Sequence, residues 1–224
     1  MIKRLFITGT DTKVGKTISS IALLQIANKI GFNSIGYKPV ASGCKITKYG
    51  LRNDDALLLK INSQIKLNYN IINPYNFLDN TAPNIISKRI KKPISFYKMS
   101  SKLKYISRKT NWIIIEGAGG WFTPISKIKR ISDWVLKENI PIILVVGIKL
   151  GCINHALLTV EVIKKTGLVL KGWIANNINI KTIWHNEYIN TLKNNLCINF
   201  LGEIPYLNKN NKNELWKYIN FSLL

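Results

Sequence analysis

The sequence predicts an α/β fold, a mainly parallel β-sheet flanked by helices on both faces. Short β-type runs alternate with helical patterns along the chain. Several runs are apolar throughout, WIII at 112–115 and IILVV at 142–146 among them, and a turn separates each run from the helix that follows. Strands covered on both faces read as unbroken apolar runs, and strand–helix alternation favours parallel pairing through right-handed crossovers.

The elements follow in order. A first strand at Ile2–Thr8 leads through GTDTKVGKT (9–17) into a helix at Thr17–Ile30, on which Ile21, Leu24 and Ala27 share a face that Ile30 continues, with Gly31 as its stop. A second strand is expected at Ser34–Val40 and a helix at Asp54–Asn62. A helix at Ser95–Lys109 precedes the strand Trp112–Glu116, and Pro141–Gly147 supplies the next strand. The helix Ile153–Lys165, closed by Gly167, comes before the strand Lys171–Asn176. The helix Ile183–Asn194 and the strand Asn199–Ile204 complete the pattern. No repeat, low-complexity linker or charge block divides the chain, so residues 1–224 read as one domain. In such sheets ligands sit at the C-terminal ends of the strands, which makes the loops after strands the places for chemistry.

Composition removes several classes. A hydrophobic fraction of 46% supplies a core and excludes a disordered chain. Cys44, Cys152 and Cys197 lack metal-type spacing and read as reduced thiols. The opening MIKRLFITGT has neither the apolar core nor the cleavage site of a secretion signal. The longest apolar run, Ile140–Ile148, is interrupted by Pro141 and falls short of the roughly 18 residues a membrane span needs. A cytoplasmic protein without a membrane partner is expected. Thirty-three Lys+Arg against eleven Asp+Glu give a net charge of +22, a balance that raises nucleic-acid binding. The basic residues are scattered, mostly Lys, and accompanied by many Ile and Asn, residues that share AT-rich codons. Without a basic block or recognition motif, no specific nucleic-acid partner is expected.

GTDTKVGKT lies between the first strand and the first helix. The common phosphate-loop spelling G-x-x-x-x-G-K-[ST] places a glycine at position 10, where Thr10 stands; Gly9 comes one residue earlier, so the loop carries one extra residue. Successive N–H groups of such a loop and the helix start cradle phosphate oxygens. Thr12, Lys13, Val14, Gly15, Lys16, Thr17 and Ile18 are therefore nucleotide candidates, with Lys16 reaching the β/γ-phosphates and the Thr17 hydroxyl a ligand for Mg²⁺. The apolar strand that ends in Glu116 and continues as Gly117-Ala118-Gly119-Gly120 supplies a carboxylate for the metal and glycines that let backbone approach the nucleotide. The fold expected is thus of the P-loop NTPase kind.

Longer motifs carry a resemblance. GTDTKVGKT (9–17), GYKPVASG (36–43), LRNDDA (51–56), EGAGGWFTP (116–124), VVGIKLGCINHALLT (145–159) and GEIP (202–205) resemble the dethiobiotin synthetase family, and the similarity runs on to KYIN (217–220). The resemblance implies an ATP-dependent cyclo-ligase of biotin synthesis that converts 7,8-diaminononanoate, CO₂ (as bicarbonate in solution) and ATP into dethiobiotin, ADP and phosphate. It implies a homodimer with the substrate site at the subunit interface. Lys38 is then the active-site lysine, acting with Lys16 on the transferring phosphoryl group; Ser42 contacts the substrate; and Asp55, rather than its neighbour Asp54, joins Thr17 and Glu116 around Mg²⁺. The helix start at Leu150, Gly151, Cys152, Ile153 and Asn154, from the partner subunit, receives the substrate carboxylate, with Tyr188 a weaker candidate for the same group. Asn176 reads the adenine edge with Asn177 beside it, and Pro205, Tyr206 and Leu207 line the base. His155 and His185 need no catalytic role, and Trp121 is a packing residue that can flank the site.

Three positions depart from the family pattern. Lys13 and Asn177 stand where acidic residues are common, and an acidic nucleotide contact of some relatives falls at Lys212. A second reading keeps the ATPase and changes its purpose, to a partitioning-type P-loop switch protein. Those proteins carry a second lysine at the start of the loop, where this chain has Asp11, and often end in an amphipathic membrane tail that NFSLL does not provide.

Overall fold

A computed structural model describes residues 2–180, 182–207 and 213–224. β1 (Lys3–Gly9) passes through the glycine loop to α1 (Lys16–Lys29) and β2 (Ser34–Tyr37). A long excursion follows, comprising β3 (Val40–Ala41), the hairpin of β4 (Lys45–Thr47) and β5 (Gly50–Arg52), α2 (Asp54–Asn62), α3 (Tyr69–Ile72), β6 (Tyr75–Asn76), α4 (Pro83–Arg89) and α5 (Phe96–Ser107). The chain then alternates regularly through β7 (Trp112–Glu116), α6 (Ile131–Lys137), β8 (Ile142–Gly147), α7 (Cys152–Lys165), β9 (Leu170–Asn176), α8 (His185–Leu196) and β10 (Phe200–Ile204). Two 3₁₀ turns at Leu215–Tyr218 and Phe221–Leu223 come last.

The main sheet has strand order β10-β9-β8-β1-β7-β2, with every pairing parallel. Alternating side chains explain why the central strands read as solid apolar runs. Ile7, Ile114 and Ile143 face α1, packing with Leu24, while Phe6, Ile113 and Ile115 face the other way, onto the cluster that holds Leu103 and Trp134. A third cluster, with Leu144, Val146 and Trp173, is covered by Leu192 and Leu196 of α8. Burying both faces of a strand leaves no position for a polar side chain until the strand tip, and there Glu116 sits.

The strand expected to run to Val40 leaves the sheet at Tyr37 instead. Pro39 has no N–H for a ladder and restricts Lys38 before it, so Val40–Ala41 pairs separately with Tyr75–Asn76. That break lifts Lys38 out of the sheet plane toward the end of β7. The start of α2 is capped by Asn53, whose side-chain oxygen accepts the Ala56 N–H at 3.1 Å, and Asp54 and Asp55 occupy its first turn, where the helix dipole favours negative charge.

The sheet margins are covered by chain that is not strand. Beside β2, the Gly36 N–H donates to Ser63 Oγ at 2.9 Å and the Ser34 carbonyl accepts the Gln64 and Ile65 N–H groups. Beside β10, the Leu201 carbonyl accepts the Asn220 N–H at 2.7 Å, and Gly202 brings its backbone so near the Tyr218 carbonyl that a Cβ would overlap it.

Candidate active site

The C-terminal ends of β1, β2 and β7 open onto a cleft of about 430 Å³. The glycine loop forms one wall, and its shape is set from beneath. Val14 is fully buried and its carbonyl accepts Asn176 Nδ2 at 3.1 Å, which ties the loop to β9. Gly15 takes φ +97°, and a Cβ there would overlap the Asn176 carboxamide, so glycine is required on both conformational and steric grounds. Lys16 opens α1 with its Nζ donating to the Asp11 carbonyl at 2.8 Å. Burial lowers its pKa to about 8, Lys38 adds to the shift, and the carboxylates of Glu116 and Asp55 oppose it.

Against the end of the loop lies a charge cluster. Lys38 is 5% exposed and Glu116 only 1%, with Lys38 Nζ 2.5 Å from Glu116 Oε1 and 3.1 Å from Asp55 Oδ2. Thr17 Oγ1 donates to the same Glu116 oxygen at 2.9 Å. Burial alone would lower the Lys38 pKa; Glu116 and Asp55 outweigh it, and the ammonium is held above its ordinary range. Burial likewise works against ionised Asp55, but Lys38 and then the Thr17 hydroxyl keep its carboxyl below the usual range. Glu116 Oε2 is buried without a hydrogen-bond partner. A hydroxyl and two carboxylates in one cluster, one with an oxygen left over, form the kind of hard-oxygen set that Mg²⁺ takes, the remaining positions falling to water and phosphate. Among the described residues no group of three His, Cys, Asp or Glu gathers as a metal site by itself.

Most of the expected nucleotide residues meet here. Thr12, Lys13, Gly15, Ile18, Gly117, Ala118 and Gly119 line the same cleft as Lys16, Thr17, Lys38, Asp55 and Glu116, and Ser42 is at its side. Asp54 turns outward to an exposed pair with Lys45 at 2.6 Å. The base-binding candidates lie outside the cleft lining. Asn176 supports the loop, and Asn177 Nδ2 donates to the Ile204 carbonyl and to Glu203 Oε1. Pro205 and Tyr206 follow β10, and Leu207 packs on the α1 side of the core. Lys212 lies outside the described residues.

The carboxylate candidates also lie apart from the cleft of their own chain. Leu150 is 87% exposed, Gly151 takes φ +86° at the start of α7, Cys152 is buried, Ile153 half-buried and Asn154 exposed. Tyr188 packs half-buried against the α8 cluster. His155 is exposed, and His185 is committed to Glu203 Oε1 at 2.9 Å. Trp121 is buried with its ring set edge-on to Phe6. Ala41, Leu58 and Asn80 line the cleft without any mark in the sequence that singles them out.

A family model described as "AAA domain" matches residues 3–214. The ATP-dependent dethiobiotin synthetase of Escherichia coli (strain K12) is 51% identical over 225 residues, covering 100% of both chains. The chain belongs to the dethiobiotin synthetase family. The ATP-dependent dethiobiotin synthetase of Serratia marcescens is 47% identical, over 100% of this chain and 99% of its own. The family's fold is shared more widely. The septum site-determining protein MinD complexed with Mg-ADP, from Pyrococcus horikoshii OT3, superposes with a TM-score of 0.59 over 98% of this chain and 87% of its own, at 15% identity. That likeness confirms the P-loop α/β architecture and carries no more than the fold.

For a dethiobiotin synthetase that uses ATP, the pKa of Lys16 has a consequence. A bound triphosphate favours the ammonium form, so nucleotide affinity stays level below pH 8 and falls as pH rises through about 8, where free Lys16 loses its proton. Calorimetric titration between pH 7 and 9.5 should show this fall, at most about tenfold per pH unit for a single proton.

Proposed function

We propose that this chain converts 7,8-diaminononanoate, CO₂ and ATP into dethiobiotin, ADP and phosphate, as a cytoplasmic homodimer. The observation that carries the reading is the buried Lys38, held between Glu116 and Asp55 in the cleft that the phosphate loop also lines, with Ser42 in the same lining. Family membership supports it independently.

In the proposed reaction one substrate amine adds to CO₂, losing a proton to leave a carbamate. A carbamate oxygen attacks the γ-phosphorus and ADP departs; the second amine then attacks the carbonyl carbon of the mixed anhydride, loses a proton, and phosphate leaves as the ring closes. Each stage concentrates negative charge on oxygens of the carbamate and the moving phosphoryl group. Lys38, fixed by its carboxylates, needs no reorganisation to meet that charge, and Lys16 approaches from the loop side. Ser42 would orient the diamine. Thr17, Asp55 and Glu116 would hold Mg²⁺, which when bound offsets charge on the β- and γ-phosphates. The carboxylate end of the substrate would reach the start of the partner's α7. The exposed apolar side chains of Leu150, Phe122 and Leu158 support an interface on that side. Asn176, Asn177 and Pro205 to Leu207 would surround the base.

The test is direct. Purified protein supplied with ATP, Mg²⁺, bicarbonate and 7,8-diaminononanoate should release dethiobiotin, identified by mass, with one ADP per product. Folded protein that makes none overturns the reading, and ATP hydrolysis indifferent to the diamine points to the switch-protein alternative. A separate measurement bears on the metal. Glu116→Gln should raise the Mg²⁺ concentration needed for half-maximal nucleotide binding by about tenfold or more, because it replaces a charged oxygen ligand with a neutral one. An unchanged Mg²⁺ titration removes Glu116 from the metal set.

A further inference from the structure

Asp11 is engaged through three of its atoms. Its carbonyl accepts Lys16 Nζ at 2.8 Å, its Oδ1 accepts the Thr12 N–H at 2.6 Å, and its Oδ2 pairs with Lys149 Nζ at 3.3 Å. Lys149 comes from the loop after β8, and its own carbonyl accepts the N–H of Cys152, the first residue of α7, at 3.0 Å. The two residues are 138 positions apart in sequence, and neither lines the cleft. The Thr12 N–H and Lys149 together keep the Asp11 carboxyl ionised, holding its pKa below the ordinary range against a smaller effect of burial.

An ionised carboxylate this close to a phosphate loop is an electrostatic liability. A triphosphate seated on the loop brings several negative charges near it, and like charges at short range repel. Asp11 also supplies the carbonyl on which Lys16 rests, so any movement of Asp11 moves the resting place of the cation that must reach the phosphates.

We propose that Lys149 is a positioning residue for the nucleotide loop, acting through Asp11. It neutralises the Asp11 carboxylate and turns it away from the incoming phosphates, and it holds the Asp11 backbone still while Lys16 exchanges its carbonyl partner for a phosphate oxygen. Because Lys149 leads directly into α7, the brace also fixes the loop relative to that helix. Together with the Asn176–Val14 contact it anchors the loop to the β8–β9 side of the sheet. The inference rests on ATP being bound at this loop.

A double-mutant cycle read by calorimetric binding of Mg-ATP and Mg-ADP tests it. Lys149→Met should weaken both nucleotides by roughly threefold to tenfold, the range of coupling for a partly exposed charge pair with shared partners. Asp11→Asn keeps an oxygen for the Thr12 N–H and removes the repelling charge, so its change should stay within about twofold. The double variant should bind like Asp11→Asn, because Lys149 has no work left once the carboxylate is gone. Lys149→Arg, which keeps the charge, should restore affinity to within about twofold of the parent. A double variant as weak as Lys149→Met overturns the proposal, since Lys149 would then act on the phosphates directly; wild-type affinity in Lys149→Met overturns it too. Absence of nucleotide binding by the unmodified protein is a different failure, that of the ATP reading itself.

Discussion

Lys38→Ala is expected to abolish dethiobiotin formation, lowering kcat by roughly 10³-fold or more, and to make the protein measurably less stable. In the proposed reaction the first effect would follow from losing a preorganised cation where phosphoryl and carbamate charge would develop. The second follows from burial. Glu116 is 1% exposed and takes its closest charge-assisted contact from Lys38, so truncation strands a carboxylate in the interior. Breaking a buried pair from one side costs about 3 kcal/mol or more, and in a chain of this size about 3 kcal/mol corresponds to a fall in Tm of about 6–12 °C. The bond that Glu116 keeps from Thr17 holds the loss near the lower figure. A thermal melt beside the activity assay separates the two effects. Lys38→Met combined with Glu116→Gln should recover much of the stability and none of the turnover. Recovery of turnover would show that Lys38 serves the fold and not the chemistry.

The second large effect is expected at Gly15. Gly15→Ala must hold an L-residue at φ +97° and place a methyl group in the Asn176 carboxamide. The left-handed backbone alone costs about 1–2 kcal/mol, and the overlap forces either the loop or the end of β9 to move. The Asn176–Val14 bond that anchors the loop is then lost, together with the register of the N–H groups that would face phosphate in the proposed nucleotide site. Mg-ATP affinity should fall by more than about 100-fold, the equivalent of two such costs together. Asn176→Ala alone should weaken binding far less, because it removes the anchor and leaves the glycine conformation intact. In the double variant part of the loss should return as the overlap is relieved, while the backbone strain remains. Near-normal Mg-ATP titration of Gly15→Ala would show that the bound loop differs from the free one at this residue.

Much of this was legible in the chain because the information was local. Trp112–Glu116 and Ile142–Gly147 are strands buried on both faces, and burial on both faces leaves a signature in consecutive residues. Gly15-Lys16-Thr17 is similarly self-contained. The elements that escaped are short or irregular, namely α3, the two-residue strands β3 and β6, the exposed hairpin β4–β5, α4, and the seven-residue α6. In each the packing of neighbours outweighs a periodicity too brief to detect. Lys38 could be singled out only by the motif around it, since one lysine among many carries no local mark; what makes it special is the meeting of Pro39, the end of β7 and the first turn of α2. Asn80 and the Asp11–Lys149 pair were invisible for the same reason. Their meaning lies in tertiary neighbours, and no stretch of sequence contains both halves.

The covered margins of the main sheet limit how this protein can associate. An open edge strand is a template for another strand, and sheet extension is a common route to both dimers and fibres. Here Ser63, Gln64 and Ile65 occupy backbone groups beside β2, and the Tyr218–Asn220 segment lies against β10. At these positions an incoming strand would find the donors and acceptors already taken. Association between copies is thereby directed to helix faces and loops, and a destabilised variant that releases the 213–224 segment would expose β10 as the first place for unwanted strand addition.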